Sequence, residues 1–477
     1  MDLQLSNDAA ILLRSAPCSV ELPAGSGKTH LLCAAALLAS GQGSRSLILT
    51  HTNAGVDAIR KRLVEFRISQ DKVRVETLTS WAFTLAKSYS QLAGVDIGDH
   101  PDWSKSASYL SGAEKVVKTQ AVRRVLRSSF DYLIVDEYQD CTLQLHSFVL
   151  ALSESIPKAI VLGDWMQAIF GFTGPLVDWN NDVQQRFPAV HIDWLPHRWQ
   201  RHNQELGAWT LSVRQDLTPG IFFDAKKYSV PGVRFLLNQN GESLRSSAFM
   251  NRHPGESVLI LGNFPSDDGK IASRLGGAFL VLEDIQGRFI KKHLDAIPHE
   301  DSFLLASWLA EFIKECANGV AGLDSAIRSK LRDNKSIAHL QRGVIQDAVI
   351  SLDSLREQPS YENLLLVADV ITRIPSVRIY RREAWRDGLR AIEACLDTAE
   401  KSPVDNLAKV RGRLRHSSRN ISLRVVSRTL LVKGLEFDHV IVSDLQRMNN
   451  HNHLYVAISR AKKSVTLIGS SASVKLQ

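Results

Sequence analysis

Val20-Glu21-Leu22-Pro23-Ala24-Gly25-Ser26-Gly27-Lys28-Thr29 and, further on, Leu133-Ile134-Val135-Asp136-Glu137-Tyr138-Gln139-Asp140 are the two stretches on which the fold turns. Each is a short apolar run that ends in a polar motif. The run 18–22 reads as a buried strand, followed by a glycine-rich loop and an apolar helix from Lys28 to about Ser40. Gly25 and Gly27 let the backbone curl so that successive amide N–H groups face one anion, with Ser26 between them. Lys28 sets a cation beside that anion, and the Thr29 hydroxyl suits Mg²⁺. Such loops usually begin with Gly or Ala, and here the position is Leu22. In the second stretch two carboxylates follow four apolar residues. Asp136 is expected to hold Mg²⁺ through water and Glu137 to orient an attacking water. The plainer alternative is an acidic cluster that opens a helix. A bare Gly-Lys-Thr recurs by chance; the strand before it, the helix after it and the matching acidic motif make the pair specific.

The same alternation continues outward. Strands are predicted at 46–50, 132–135 and 159–162, and an amphipathic helix at 54–66. Motifs at the carboxyl ends of strands are what a parallel, doubly wound sheet produces. A second α/β unit begins near Trp194, with a strand at 257–261. The stretch 301–397 is mostly helical with no clear strand, and strand signals resume at 423–426, 439–443 and 464–468. The expected division is residues 1–193, with a short helical insertion at about 93–127, then 194–300 together with 410–477, split by a helical insertion at 301–409. Basic clusters occur at 378–390 and 411–419.

Bulk composition narrows the class. With 477 residues, 44% hydrophobic and 23% charged, the chain has the balance of a soluble globular protein. Residues 1–10 lack a basic segment followed by an apolar run, and apolar stretches such as 31–39 are too short to cross a bilayer. No membrane association is expected. Five cysteines without paired spacing argue against a zinc site, an iron–sulfur cluster or a disulfide framework, and fit a reducing, cytoplasmic setting. The net charge of +8 and pI near 9.2 favour a polyanionic partner, in a groove rather than on a basic tail.

At this point the chain resembles the superfamily 1 DNA helicases of the UvrD/Rep type, in a compact form. Asp136-Glu137-Tyr138-Gln139-Asp140 is similar to the family's Asp-Glu-aromatic-Gln-Asp signature. Gly163-Asp164-Trp165-Met166-Gln167-Ala168-Ile169-Phe170-Gly171-Phe172 resembles its Gly-Asp-x-x-Gln-x-Ile-aromatic-Gly-aromatic motif. Lys433-Gly434-Leu435-Glu436-Phe437 and Tyr455-Val456-Ala457-Ile458-Ser459-Arg460-Ala461 match two motifs of the second domain. The resemblance runs from Val20 to about Ile468, with the helical insertions outside it. It implies an α/β fold of two RecA-like parallel-sheet P-loop domains, ATP and Mg²⁺ as cofactors, and single-stranded and partially duplex DNA as partners. It also implies roles. Gln167 senses the γ-phosphate, and Arg460 and Arg198 act as arginine fingers from the second domain, although Arg198 alone also reads as a surface or phosphate-contact arginine. Glu436 contacts the ribose or the closed phosphate site. His51, Thr52, Asn53, Thr77 and Phe172 touch the strand; Trp81 and Phe83 either stack on bases or pack within their helix.

Several positions depart from the family. Two residues that usually sandwich adenine are His30 and His197 here, and the usual stacking Phe is His51. Base specificity and strand grip are the properties these changes touch. The compact length and the absence of a nuclease motif after Ile468 resemble the helicase half of two-gene antiphage systems of the Gabija type, where a partner nuclease cuts. Three functions follow. One is an ATP-dependent helicase or translocase running 3′→5′ in DNA repair or phage defence. Another is an ATP-gated sensor of DNA ends or single strands that activates a partner nuclease. The third is a small-molecule P-loop kinase, and the Asp-Glu-Tyr-Gln-Asp motif counts strongly against it.

Overall fold

The computed structural model describes residues 3–97, 105–171, 174–227, 230–239, 241–250, 253–284, 287–397, 402–414 and 422–477. The first sheet has five strands: β1 (Cys18–Glu21), β2 (Ser46–Thr50), β3 (Val73–Thr77), β4 (Tyr132–Val135) and β5 (Lys158–Gly163). Their order is β1-β5-β4-β2-β3, and every pair is parallel. β2 and β4 lie inside the sheet and are wholly buried, which is why they read as continuous apolar runs. β3 is absent from the expected strands. It is an edge strand whose residues Arg74 and Glu76 thin the apolar signal to Val73 and Val75.

The second sheet holds β6 (Val233–Leu237), β7 (Val258–Leu261), β8 (Leu280–Val281), β9 (Arg424–Ser427), β10 (Phe437–Val442) and β11 (Ala461–Gly469). The order is β6-β11-β10-β7-β9-β8, again parallel throughout. The chain leaves this sheet after β8 and returns at β9, so β7 pairs with strands that come far later in sequence. β6 and β8 give weak signals in the sequence: β6 is only half-buried, and β8 is two residues long.

The segment between β8 and β9 forms a helical body with its own core. Helices Leu304–Cys316, Gln346–Glu357, Tyr361–Arg373 and Arg382–Asp397 bury Leu309, Phe312, Leu352, Leu364 and Ile392 together. Phe312 stacks on Trp308 at a centroid spacing of 5.1 Å and on Trp385 at 5.2 Å. Ile290 and Leu294, on helix Arg288–Asp295, belong to the same core, so the body begins before the expected 301. It also carries one short antiparallel pair, Ala317–Asn318 with Arg378–Ile379. The helices Ser106–Lys118 and Gln120–Ser129 instead add Leu110, Val116, Val122 and Leu126 to the core beneath β2 and β4. None of the described helices is long and apolar enough to cross a membrane, and all five cysteines are free.

Candidate nucleotide site between the two sheets

The carboxyl edge of the first sheet gathers the motifs. The loop 22–27 follows β1, Asp136 and Glu137 follow β4, Asp164 and Gln167 follow β5, and Thr50 and Thr77 end the paired strands β2 and β3. Gly25 (φ +76°) and Gly27 (φ +86°) take the left-handed conformation that the curl requires. Gly27 caps helix Lys28–Gly41, so the first-turn amides of that helix face the loop. Lys28 is buried, with Nζ donating to Leu22 O at 3.0 Å.

A short helix, His197–Gln200, roofs the loop. Arg198 N donates to Gly25 O at 3.2 Å, and a Cβ on Gly25 would lie 2.7 Å from the Trp199 ring. The roof is tied to the second sheet. Trp199 is fully buried, and its Nε1 donates to Ala461 O at 2.7 Å, at the start of β11. Ala24 N donates to the Tyr455 hydroxyl at 3.1 Å, a second contact between the loop and helix His451–Ser459. His197 and His30 both flank Gly27: a Cβ there would lie 3.1 Å from His197 Cδ2 and 4.0 Å from His30 Cβ. The His30 ring also meets Phe66 at 5.0 Å.

Glu137 has a left-handed backbone (φ +57°), uncommon for a non-glycine residue, and its amide donates to Asp136 Oδ1 at 2.9 Å. Its Oε2 accepts from Gln139 Nε2 at 2.5 Å. Burial, and then the charge of Glu137, push Asp136 above the usual carboxylate range. Burial works against the charge of Glu137 as well, but Lys433 and Lys28 outweigh it and hold Glu137 low. The pair is thus divided into one reluctant and one secure carboxylate.

The two predicted arginines reach the same place from the second sheet. Arg460 is buried, and its Nη2 donates to Gln167 Oε1 at 2.8 Å. Gln167 Nε2 in turn donates to Asp164 Oδ2 at 2.9 Å. Burial, with Arg198 nearby, lowers Arg460 to about 10, so it stays charged at neutral pH. Arg198 donates to Ser459 O and, at 2.8 Å, to Glu436 Oε1, while its buried Nε has no partner among the described residues. That orphaned donor, the loop amides and the Lys28 cation make a donor set that fits a polyphosphate. An acid pair with one member raised by burial fits a divalent cation, with Thr29 and Asp136 as the residues that would hold it.

Two family models match the chain: the UvrD/REP helicase N-terminal domain over residues 110–188, and the UvrD-like helicase C-terminal domain over residues 431–468. The first window contains Asp136, Glu137 and Gln167; the second contains Lys433, Glu436 and Arg460. Both windows are similar to UvrD-like helicase domains. The ATP-dependent DNA helicase Rep of Escherichia coli (strain K12) is 25% identical over 187 residues, which cover 35% of this chain and 27% of Rep. The match therefore spans about a quarter of that relative's length. The crystal structure of Pif1 helicase from Candida albicans is similar at a TM-score of 0.41 and 10% identity, over 98% of this chain and 94% of that one. The glycine-rich loop and Arg198 fall outside both matched windows, so their place in this site rests on the geometry above.

The expected strand-contact residues fare differently. His51 lies beside Cys141, Nε2 to Sγ 3.5 Å, and burial and Lys433 lower it to about 3, so it is neutral. The Thr52 and Thr77 hydroxyls cap helices, accepting from Gly55 N at 3.0 Å and Ser80 N at 3.1 Å, and Asn53 opens the first of these helices. Trp81 packs inside, with the Arg74 guanidinium over its ring, and Phe83 meets Tyr109 edge-on. Phe172 lies outside the described residues. Three further residues of this seam carry no role in the sequence reading. Asp140 receives Lys433, Tyr455 receives Ala24 N, and Arg214 bonds Asp164 at 3.0 Å and Glu21 at 2.5 Å. Asp140 and Tyr455 stand inside recognised motifs, so position within a motif is the available signal. Arg214 lies on helix Gln204–Asp216, whose sequence carries no such motif.

Proposed function

We propose that the chain is an ATP-driven motor on DNA: a DNA-stimulated ATPase that moves 3′→5′ along single strands and opens partially duplex DNA. Residues 1–193 would form one motor domain, 194–300 with 410–477 the other, and 301–409, joined by helix Arg288–Asp295, an inserted helical domain. The observation that carries the proposal is the meeting of Arg460 with Gln167, because residues tied to different sheets complete one buried site. ATP, when bound, supplies the γ-phosphate whose transfer to water releases the free energy. Lys28 and the loop amides would bind the phosphates, Thr29 and Asp136 would hold Mg²⁺, and Glu137 would orient the attacking water. Arg460 and Arg198 would offset developing charge, so hydrolysis would need the cleft closed. His30, His197 and Glu436 would border the rest of the nucleotide. His51, Thr52, Asn53 and Thr77 would line the strand path, whose phosphate contacts make binding salt-sensitive.

The test is steady-state ATPase with and without single-stranded DNA. Strong stimulation is expected, with turnover lowered by roughly a thousandfold in Glu137→Gln while ATP still binds. Lys28→Ala should lose turnover together with nucleotide affinity. Wild-type rates in either variant would sink the assignment.

A second reading has two observations in its favour. His51 is neutral and turned to Cys141, and Trp81 is packed inside, which leaves few stacking surfaces for a strand. That suits an ATP-gated sensor of single strands or DNA ends that activates a partner nuclease in cytoplasmic phage defence. Strand displacement by the chain alone separates the two: a motor opens the duplex unaided, and a sensor hydrolyses ATP without opening it.

A further inference from the structure

Lys433 sits between helix Thr429–Val432 and β10, just before Gly434 at φ +81°. Its side chain is buried, and its ammonium makes its contacts among the loops of the first sheet. Nζ donates to Asp140 Oδ2 and, at 2.6 Å, to Gln167 O; Glu137 Oε2 lies 3.7 Å away, and the Phe170 ring centroid 5.5 Å. A buried ammonium is tolerated only where acceptors satisfy it. Here the acceptors come from two separate loops, the one after β4 and the one after β5. Without the ammonium, the buried Asp140 side chain keeps, among the described residues, a long bond from Ile169 N at 3.4 Å. The loop after β5 is also held from the same side where Asn452 Nδ2 donates to Ala168 O at 2.8 Å.

Gln167 is therefore held twice from the second sheet: its side chain by Arg460, its carbonyl by Lys433. We propose that Lys433 is a positioning residue that locks the Glu137 and Gln167 loops into the one arrangement that supports hydrolysis when the sheets dock. This rests on the motor reading above. In this role Lys433 touches no phosphate; it acts by holding two loops in register.

The test compares Lys433→Met, Lys433→Arg and Asp140→Asn with wild type in DNA-stimulated ATPase and in amide hydrogen exchange of the unliganded proteins. Lys433→Met should lower the stimulated kcat by about tenfold or more while the KM for ATP stays within about threefold. Lys433→Arg, which keeps the charge, should recover most of that loss. Exchange over 136–141 and 164–170 should quicken in Lys433→Met, with the helical body unchanged. Should Lys433→Met fail to fold, the near-isosteric Asp140→Asn carries the same expectations. Wild-type kcat with unchanged exchange overturns the proposal, as does a loss that Lys433→Arg leaves unrelieved. If the wild type shows no DNA-stimulated turnover, the motor reading fails by itself, and exchange then decides whether the lock exists.

Discussion

The seam between the two sheets and the interior of the helical body are both buried, yet they are built from opposite materials. The helical body closes on Leu305, Leu309, Phe312, Leu352 and Ile371, all fully buried and apolar. The seam buries Lys28, Asp136, Asp140, Gln167, Lys433 and Arg460. An apolar core gains stability in proportion to area and has no preferred partner for any one side chain. A buried ion network gains little net stability, because desolvation offsets the attraction, but it is costly to disturb one member at a time. The first arrangement suits a body that keeps its shape. The second suits a contact whose state must depend on which charges are present, as a nucleotide site requires.

The comparison can be broken from either side. Arg460→Ala in the seam should lower DNA-stimulated kcat on the order of a thousandfold, with nucleotide affinity changed only a few-fold. Equal losses in kcat and affinity would remove it from the finger role. Leu352→Ala in the helical body should cost about 2–5 kcal/mol in urea unfolding. Its folded fraction should hydrolyse ATP within about twofold of wild type, because Leu352 belongs to a core separate from the site. A large kcat loss there would mean that the two regions are not independent.

The smallest effect concerns the far rim of the second sheet. Glu256 accepts from Lys463 at 2.6 Å and His439 at 2.9 Å, and these bonds hold it at about 2, below its ordinary 4.5. A carboxylate depressed in the folded state adds stability above the unfolded value and loses it as pH falls through the folded one. The urea midpoint of Glu256→Gln should therefore trail wild type at neutral pH, and the gap should narrow as pH drops from 4.5 toward 2. A gap independent of pH would assign the difference to packing.

Much of the site is legible in the chain. Gly25 and Gly27 announce their backbone, because only glycine enters the left-handed region without strain. Asp136 and Glu137 announce their place by ending a wholly apolar strand. The positive φ at Glu137 is not legible, since glutamate carries no preference for it. Nor does the sequence separate the cap roles of Thr52 and Thr77 from strand contact. A threonine ahead of a helix can satisfy the first-turn amides or face a ligand, and only the placed hydroxyl shows which.

What the sequence by itself determined is local: the alternation of strands and helices, the loop that curls, and the acidic pair at a strand end, each set by periodicity or by one residue's backbone freedom. The tertiary structure alone decided which distant charges meet. Nothing in the spacing of Asp140 and Lys433, or of Asp164 and Arg214, pairs them. Lys433 reaches Asp140 because the chain leaves the second sheet, builds a helical body, and returns to pair β9 and β10 with β7, whereas Arg214 reaches Asp164 from helix Gln204–Asp216, ahead of that sheet. Long-range electrostatics follows from topology, and topology is a property of the whole chain.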